Sequence, residues 1–320
     1  MAKNSNLHDA RDAKNDEFYT RMEDITEELY NYKENYIDKT ILCNCDNPKL
    51  SNFWKYFHKN FKYFGLKKLI ATHYDTQTYK IEYTGGNDDD FEDGIITPLT
   101  QNGDFRSDES IKLLDEADII VTNPPFSLFK EFVNILIQHN KQFIIIGNIN
   151  AITYKEIFPL LKDNKMWLGC RSLNRDMYFD VPDDRKEWLL QNKKEGSAYK
   201  IINGVVMGRL ASACWYTNID HKNRHNVLDT TYFYNIKDEL YPDLYPKYDN
   251  YDIINVDKIK EIPMDYNGIM GVPITFMDKY NPEQYEILGI ANSARWIGYE
   301  CYTLINGKKI YNRILIRKKE

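Results

Sequence analysis

A chain of 320 residues, 42% hydrophobic and 28% charged, can bury the core of an α/β domain of about 200 residues with a smaller companion, which excludes a mainly disordered protein. Its net charge of −6 excludes a uniformly cationic binder, yet the signs are segregated: Asp88, Asp89, Asp90, Glu92 and Asp93 form an acidic run, and Lys308, Lys309, Arg313, Arg317, Lys318 and Lys319 a basic one. The polar stretch Met1 to Lys14 and the lack of any run of about 18 apolar residues argue against a signal peptide and a membrane span.

In chain order, residues 1–15 read as a polar arm, followed by Asp16-Glu17-Phe18-Tyr19-Thr20. A helix is expected over Met22 to Tyr36, with Ile25, Leu29 and Tyr32 on one face. Strand-length apolar runs come next, at Thr40–Cys43, Lys68–Thr72, Asp118–Thr122 and Gln142–Gly147. Helical patterns lie between and after them, at Ser51–Phe61, Ser107–Leu114, Phe126–Ile137 and Tyr154–Leu161, with Ser51 and Ser107 as caps. This alternation predicts an α/β protein, a Rossmann-like parallel sheet with helices on both faces. Beyond Lys165 it fades into short β-like pieces at Ile201–Met207, Ala211–Tyr216 and Gly271–Phe276. A boundary is expected near residue 220, giving a catalytic domain over 1–220 and a smaller target-recognition region over 221–320.

The five cysteines, at 43, 45, 170, 214 and 301, form no C-x-x-C pair, so neither a disulfide framework nor a zinc site is signalled and a reducing cytoplasm is expected. His221 and His225 are spaced like a metal pair but lack a third ligand, read as surface residues, and no metal is assigned.

The strongest chemical signal is Asn123-Pro124-Pro125-Phe126, directly after the strand ending at Thr122. Open α/β sheets bind ligands at the carboxyl ends of their strands, where this turn must sit. Two prolines fix φ and remove backbone donors, leaving carbonyl acceptors in place. An exocyclic amine conjugated with an aromatic ring is a poor nucleophile until its two hydrogens are held. The Asn123 side-chain oxygen and the Pro124 carbonyl can accept both, while Phe126 stacks on the ring.

The turn after a strand resembles the catalytic motif of adenine amino-methyltransferases. The longer match is to EcoRI-type DNA modification methylases. It is carried by Val121-Thr122-Asn123-Pro124-Pro125-Phe126-Ser127-Leu128-Phe129-Lys130-Glu131, by Asp16 to Thr20, by Cys43-Asn44-Cys45-Asp46, by Gly103-Asp104-Phe105-Arg106-Ser107 and by segments within 245–276. That resemblance implies S-adenosylmethionine as cofactor, with Phe18, Tyr19 and Thr20 against it and Asn44, Cys45 and Asp46 facing its methionine part. Asp75 is the candidate for the ribose, and Asp104 and Phe105 for its adenine. It further implies that an adenine is flipped from duplex DNA, at a site similar to GAATTC, in a restriction-modification system. Arg295, Lys308, Lys309, Arg313 and Arg317 are candidates for phosphate contact. The resemblance implies an enzyme acting as a monomer, with a restriction endonuclease sharing the site but forming no stable complex. The glycine-rich cofactor loop common in methyltransferases is missing. RNA or protein-glutamine methylation, and a DNA-binding module without catalysis, stand as alternatives.

Overall fold

The computed structural model describes residues 19–75, 78–234, 244–249, 251–291 and 304–319. Phe18, Arg295 and Cys301 lie outside them. The chain groups into two compact units, one of residues 1–149 and 174–219, the other of residues 150–173 and 220–320.

The first unit opens with β1 (Tyr19–Thr20) and α1 (Met22–Leu29), which tightens into a 3-10 helix over Tyr30–Asn35, so the expected helix ends in a different winding. Next come β2 (Thr40–Cys43), α2 (Asn52–Lys59), the one-turn α3 (Phe61–Phe64), β3 (Lys68–Thr72), β4 (Tyr79–Tyr83) and β5 (Ile95–Pro98). After these lie α4 (Asp108–Glu116), β6 (Ile119–Thr122), a 3-10 turn over Phe126–Leu128, α5 (Phe129–Gln138) and β7 (Gln142–Asn148). Ser51 and Ser107 cap α2 and α4, accepting hydrogen bonds from the amides of Phe53 and Ser110. Such caps are each worth about 1 kcal/mol.

Residues 150–173 contribute α6 (Phe158–Lys162) and β8 (Trp167–Leu168) to the second unit. The chain then returns to the first with β9 (Met177–Asp180), α7 (Asp183–Asn192), β10 (Tyr199–Ile202), β11 (Val205–Leu210) and β12 (Ala213–Thr217). The expected single β piece at Ile201–Met207 is in fact a hairpin. Asn203 and Gly204, with φ of 50° and 81°, make the tight turn between β10 and β11.

Strands of the first unit run in the order β5-β4-β3-β2-β6-β7-β12. The middle four, β3, β2, β6 and β7, are mutually parallel, while β4, β5 and β12 add antiparallel edges. Buried on both faces, the parallel strands read as unbroken apolar runs: β2 and β6 are buried at every position. Asp118 locks their starts together, accepting from the Thr40 amide at 2.8 Å while its own amide donates to the Thr40 carbonyl at 2.9 Å. A second sheet, β1-β9-β11-β10, lies in the same unit.

In the second unit, β13 (Ile253–Asn255), β14 (Ile269–Pro273), β15 (Tyr285–Ala291) and β18 (Arg313–Lys318) form a sheet in the order β13-β14-β18-β15. The small hairpin of β16 (Leu304–Ile305) and β17 (Lys308–Lys309) precedes its central strand. Pro273 ends β14, and Ile274–Lys279 continue as a 3-10 helix, so Gly271–Phe276 is only half strand.

Candidate active site

Strand order dictates where a ligand can sit. From β2 the chain crosses to β3 on one side and later returns to β6 on the other, so the connections diverge at the carboxyl ends of β2 and β6. Such a switch point leaves a crevice above the sheet. Asn44-Cys45-Asp46 leaves β2 there, and Asn123-Pro124-Pro125-Phe126 leaves β6 beside it. The Thr122 hydroxyl donates to the Asn44 carbonyl and joins the two turns.

Asn123 is 8% exposed, Pro124 is buried, and Phe126 is half-buried at the start of its 3-10 turn. That turn is closed by the Leu128 amide donating to the Pro125 carbonyl at 3.0 Å. Phe129 begins α5 fully packed, its ring seated against Gly147 of β7. A Cβ built at 147 would come within 2.4 Å of that ring, so only glycine fits. The motif is thus held from both ends, by β6 before it and by the Phe129 anchor after it.

In the turn after β2, Cys45 adopts φ of 77°, a left-handed conformation in which glycine is the usual residue. The chain reaches without glycine the backbone course that a glycine-rich loop permits. Burial pushes the thiols of Cys43 and Cys45 upward, and the Asp46 carboxylate adds to the effect, which favours the protonated form of both. Asp46 accepts from the Ser51 hydroxyl at 3.3 Å and so braces the cap of α2. The neighbouring Asn52 donates to the Thr20 carbonyl at 2.8 Å and ties β1 to the same corner.

Three polar atoms at this corner are buried without a hydrogen-bond partner among the described residues: Thr20 Oγ1, Asn44 Oδ1 and Thr72 Oγ1. Cys43 and Ala71 are register partners in the parallel pair β2–β3, so Asn44 and Thr72 come after them on one face of the sheet. Buried polar atoms are almost always satisfied, and leaving one unpaired costs about 1–3 kcal/mol. Three together fit a ligand rich in amino, carboxylate and hydroxyl groups. Thr72 carries no sequence signal beyond ending an apolar run, and Thr122, though inside the matched motif, is given no role by it.

The remaining candidates are placed less uniformly. Asp75 has a 53% exposed side chain with its carboxylate 3.8 Å from His73 Nε2, and its amide donates to the Asn102 carbonyl. Gly103, at φ of 71°, lies so close that a Cβ would sit 2.0 Å from the His73 carbonyl, which brings the loop before Asp104 against the loop before Asp75. The Asp104 carboxylate is gripped by Arg106, with contacts of 2.9 and 2.7 Å that hold its pKa below the usual range. Phe105 is buried edge-on against Phe132, with ring centres 5.0 Å apart.

In the second unit, Lys308 and Lys309 are exposed on β17. Arg313, a phosphate candidate by sequence, is instead buried. Its guanidinium donates to Asn255 at 3.0 Å and to Asp257 at 2.9 Å, so it holds the sheet together from within. Arg317 pairs with Glu286. His221 is also buried, with Nε2 against the Leu168 carbonyl at 2.9 Å, rather than on the surface. His225 bridges Asp220 and Glu283, and these carboxylates raise its pKa. Among the described residues no group of three or more His, Cys, Asp or Glu could hold a metal, and no helix is long and apolar enough to cross a membrane.

A mixed sheet with a parallel centre, carrying an Asn-Pro-Pro-Phe turn at its switch point beside a corner of unsatisfied polar atoms, is the arrangement expected of a nucleobase amino-methyltransferase. The chain belongs to the family described as adenine-specific methyltransferase EcoRI, whose model matches residues 6–319. It is 44% identical to the Type II methyltransferase M.EcoRI of Escherichia coli, over 99% of this chain and 98% of the relative. It is 39% identical to the Type II methyltransferase M.MgeORF184P of Mycoplasma genitalium, over 97% of this chain and 98% of the relative. To the Type II methyltransferase M.MpnI of Mycoplasma pneumoniae it is 36% identical, over 97% of each chain. No solved structure matches the chain with significance. The protein is a DNA adenine methyltransferase of the restriction-modification kind, acting on double-stranded DNA.

Proposed function

We propose that the enzyme transfers the methyl group of S-adenosylmethionine to N6 of an adenine flipped out of duplex DNA, within a target similar to GAATTC. The observation that carries this reading is the placement of Asn123-Pro124-Pro125-Phe126 at the end of β6, bonded through Thr122 to the turn bearing Asn44. Asn123 Oδ1 and the Pro124 carbonyl accept the two amine hydrogens, which turns the nitrogen lone pair out of conjugation. Phe126, half-buried, offers its face to the base. Asn123 and Pro124 are buried, so these acceptors act in a water-poor setting where they are stronger.

When bound, the sulfonium supplies an electrophilic methyl whose positive charge disappears on transfer, so positioning and exclusion of water provide much of the rate. Thr20, Asn44 and Thr72 fit the amino and carboxylate groups of the cofactor's methionine part as hydrogen-bonding partners, with Tyr19, Cys45 and Asp46 forming the adjoining wall. Asp75 serves the ribose hydroxyls. Asp104, steadied by Arg106, and Phe105 border the adenine end. Residues 1–220 then carry cofactor binding and catalysis, and 221–320 target recognition, with Lys308, Lys309 and Arg295 at phosphates. Arg317 is kept as a weaker candidate because of its Glu286 pair. The enzyme works as a cytoplasmic monomer, and a restriction endonuclease of the same specificity meets it only through DNA.

Plasmid from a host expressing the protein is the test, digested with an endonuclease that cuts at GAATTC and read by single-molecule methylation sequencing. The expected result is resistance to digestion and a modified inner adenine. Modification at another sequence would overturn the target, and methylated cytosine or no label at all would overturn the chemistry.

A further inference from the structure

The sheet β1-β9-β11-β10 carries the site corner at one edge and an exposed hairpin at the other. Its register is continuous: Thr20, Phe179, Gly208 and Tyr199 stand in one row, and Tyr19, Asp180, Met207 and Lys200 in the next. With strands about 4.8 Å apart, Tyr199 lies roughly 14 Å across the sheet from Thr20. That is on the order of one DNA major-groove width, about 12 Å.

The β10–β11 hairpin turns at Asn203-Gly204, and beyond its chain neighbours no described residue comes within 4 Å of a Cβ at 204. Ile201 and Val205 flank this tip at 44% and 43% exposure, beside exposed Lys200. Helix α7 packs on the same sheet through Leu189 against Val181 and Tyr199. Its Trp188 carries the Arg185 guanidinium 4.2 Å and the Lys193 ammonium 5.2 Å from the ring centre. The cleft between α7 and β11 is lined by Arg185, Trp188, Lys193 and Arg209 among others, and by no carboxylate among the described residues. Of the acidic groups nearby, Asp176 pairs with Arg209 and Asp180 and Asp183 with Lys186, Glu195 accepts from the Ile201 amide, and Asp184 and Glu187 lie exposed on α7 outside the cleft lining. The cleft therefore offers cations and an aromatic plane, and the hairpin an apolar tip.

We propose that α7 and the β10–β11 hairpin form a second DNA-contact surface in the catalytic unit: the ribbon tip enters a groove edge-on, with Ile201 on the face shared with Tyr199 and α7 and Val205 on the opposite face, so that Arg185 and Lys193 meet backbone phosphates on one side of the ribbon and Lys200 those on the other. The occupant is duplex DNA, the polyanion that the established activity already supplies. Apolar side chains at a β-ribbon tip are suited to a groove floor or to a base step that opens. The proposal rests on duplex DNA as substrate and not on the transfer chemistry or target sequence given above.

The test measures binding of a GAATTC duplex and a scrambled duplex by the full-length enzyme, across a range of salt concentrations, for Lys193→Ala/Lys200→Ala and for Ile201→Ser/Val205→Ser. Each phosphate contact contributes about 0.9 to the slope of log K against log salt, so the lysine variant should lower that slope by about 1.8 on both duplexes. The tip variant should bind several-fold more weakly at an unchanged slope. Wild-type cofactor affinity and melting temperature in both variants serve as the folding control. A wild-type slope in the lysine variant overturns the phosphate contact, and wild-type affinity in the tip variant overturns the groove seat. A loss confined to one sequence overturns the backbone role, while the target assignment is judged separately by methylation sequencing.

Discussion

The turns after β2 and β6 lie side by side at neighbouring strand ends, yet they are stiffened by different means. After β6, rigidity is covalent: two proline rings set the backbone, and Phe129, fitted against Gly147, anchors the start of α5. After β2, it comes from side chains, namely Thr122 on the Asn44 carbonyl and Asp46 under the cap of α2, and one residue, Cys45, is held at positive φ. The turn to which the proposed chemistry assigns two acceptors is held by proline rings and the Phe129 anchor. Its neighbour has Asn44 Oδ1 and Thr72 Oγ1 buried without a partner among the described residues, the atoms that the proposed function gives to the cofactor.

Substitutions can break or sharpen this contrast. The largest effect is expected for Asn123→Ala, which removes one acceptor from the rigid turn. Turnover should fall roughly 10²–10³-fold, with cofactor affinity unchanged. Single-turnover methyl transfer checks this, and wild-type turnover would remove Asn123 from the chemistry. Phe126→Ala should weaken capture of the base by about 1–3 kcal/mol, seen as a smaller fluorescence rise from 2-aminopurine at the target. An undiminished signal would contradict stacking.

Thr122→Val keeps the shape of the strand end but leaves the Asn44 carbonyl without that donor. A loss of about 1–3 kcal/mol in stability is expected, together with weaker cofactor binding. Denaturant melts and calorimetry read the two separately, and a drop in stability without a change in cofactor affinity would show that the link is merely structural. The smallest effect belongs to Cys45→Gly, which removes the roughly 1 kcal/mol cost of left-handed backbone in a non-glycine residue. Stability should shift by less than about 1 kcal/mol and cofactor affinity should persist, whereas a large loss of affinity would give the thiol itself a role.

The same contrast explains what can be read from the sequence. β2 and β3 match their apolar runs residue for residue, because strands buried on both faces must be apolar throughout. Asn123 to Phe126 can be placed because a rigid turn comes directly after one such run. The Ile201–Met207 segment is harder, since its Asn203-Gly204 turn sits inside an apolar stretch and divides it. Thr20 and Asn44 can be named from the resemblance, but Thr72 acquires meaning only when three separate segments converge and leave its oxygen unmatched beside theirs. Arg313 shows the opposite limit: a basic run in sequence says nothing of Asn255 and Asp257, which arrive from more than fifty positions earlier and draw one of its members inside.

The placement of β18 bears on how the second unit is assembled. β14 and β15 both emerge from the ribosome before β18, yet each makes its antiparallel ladder with β18 and not with the other. Until residues 313–318 have been made, the two earlier strands expose facing unpaired edges, so a nascent chain stopped short of them would have an open slot able to accept a strand from elsewhere.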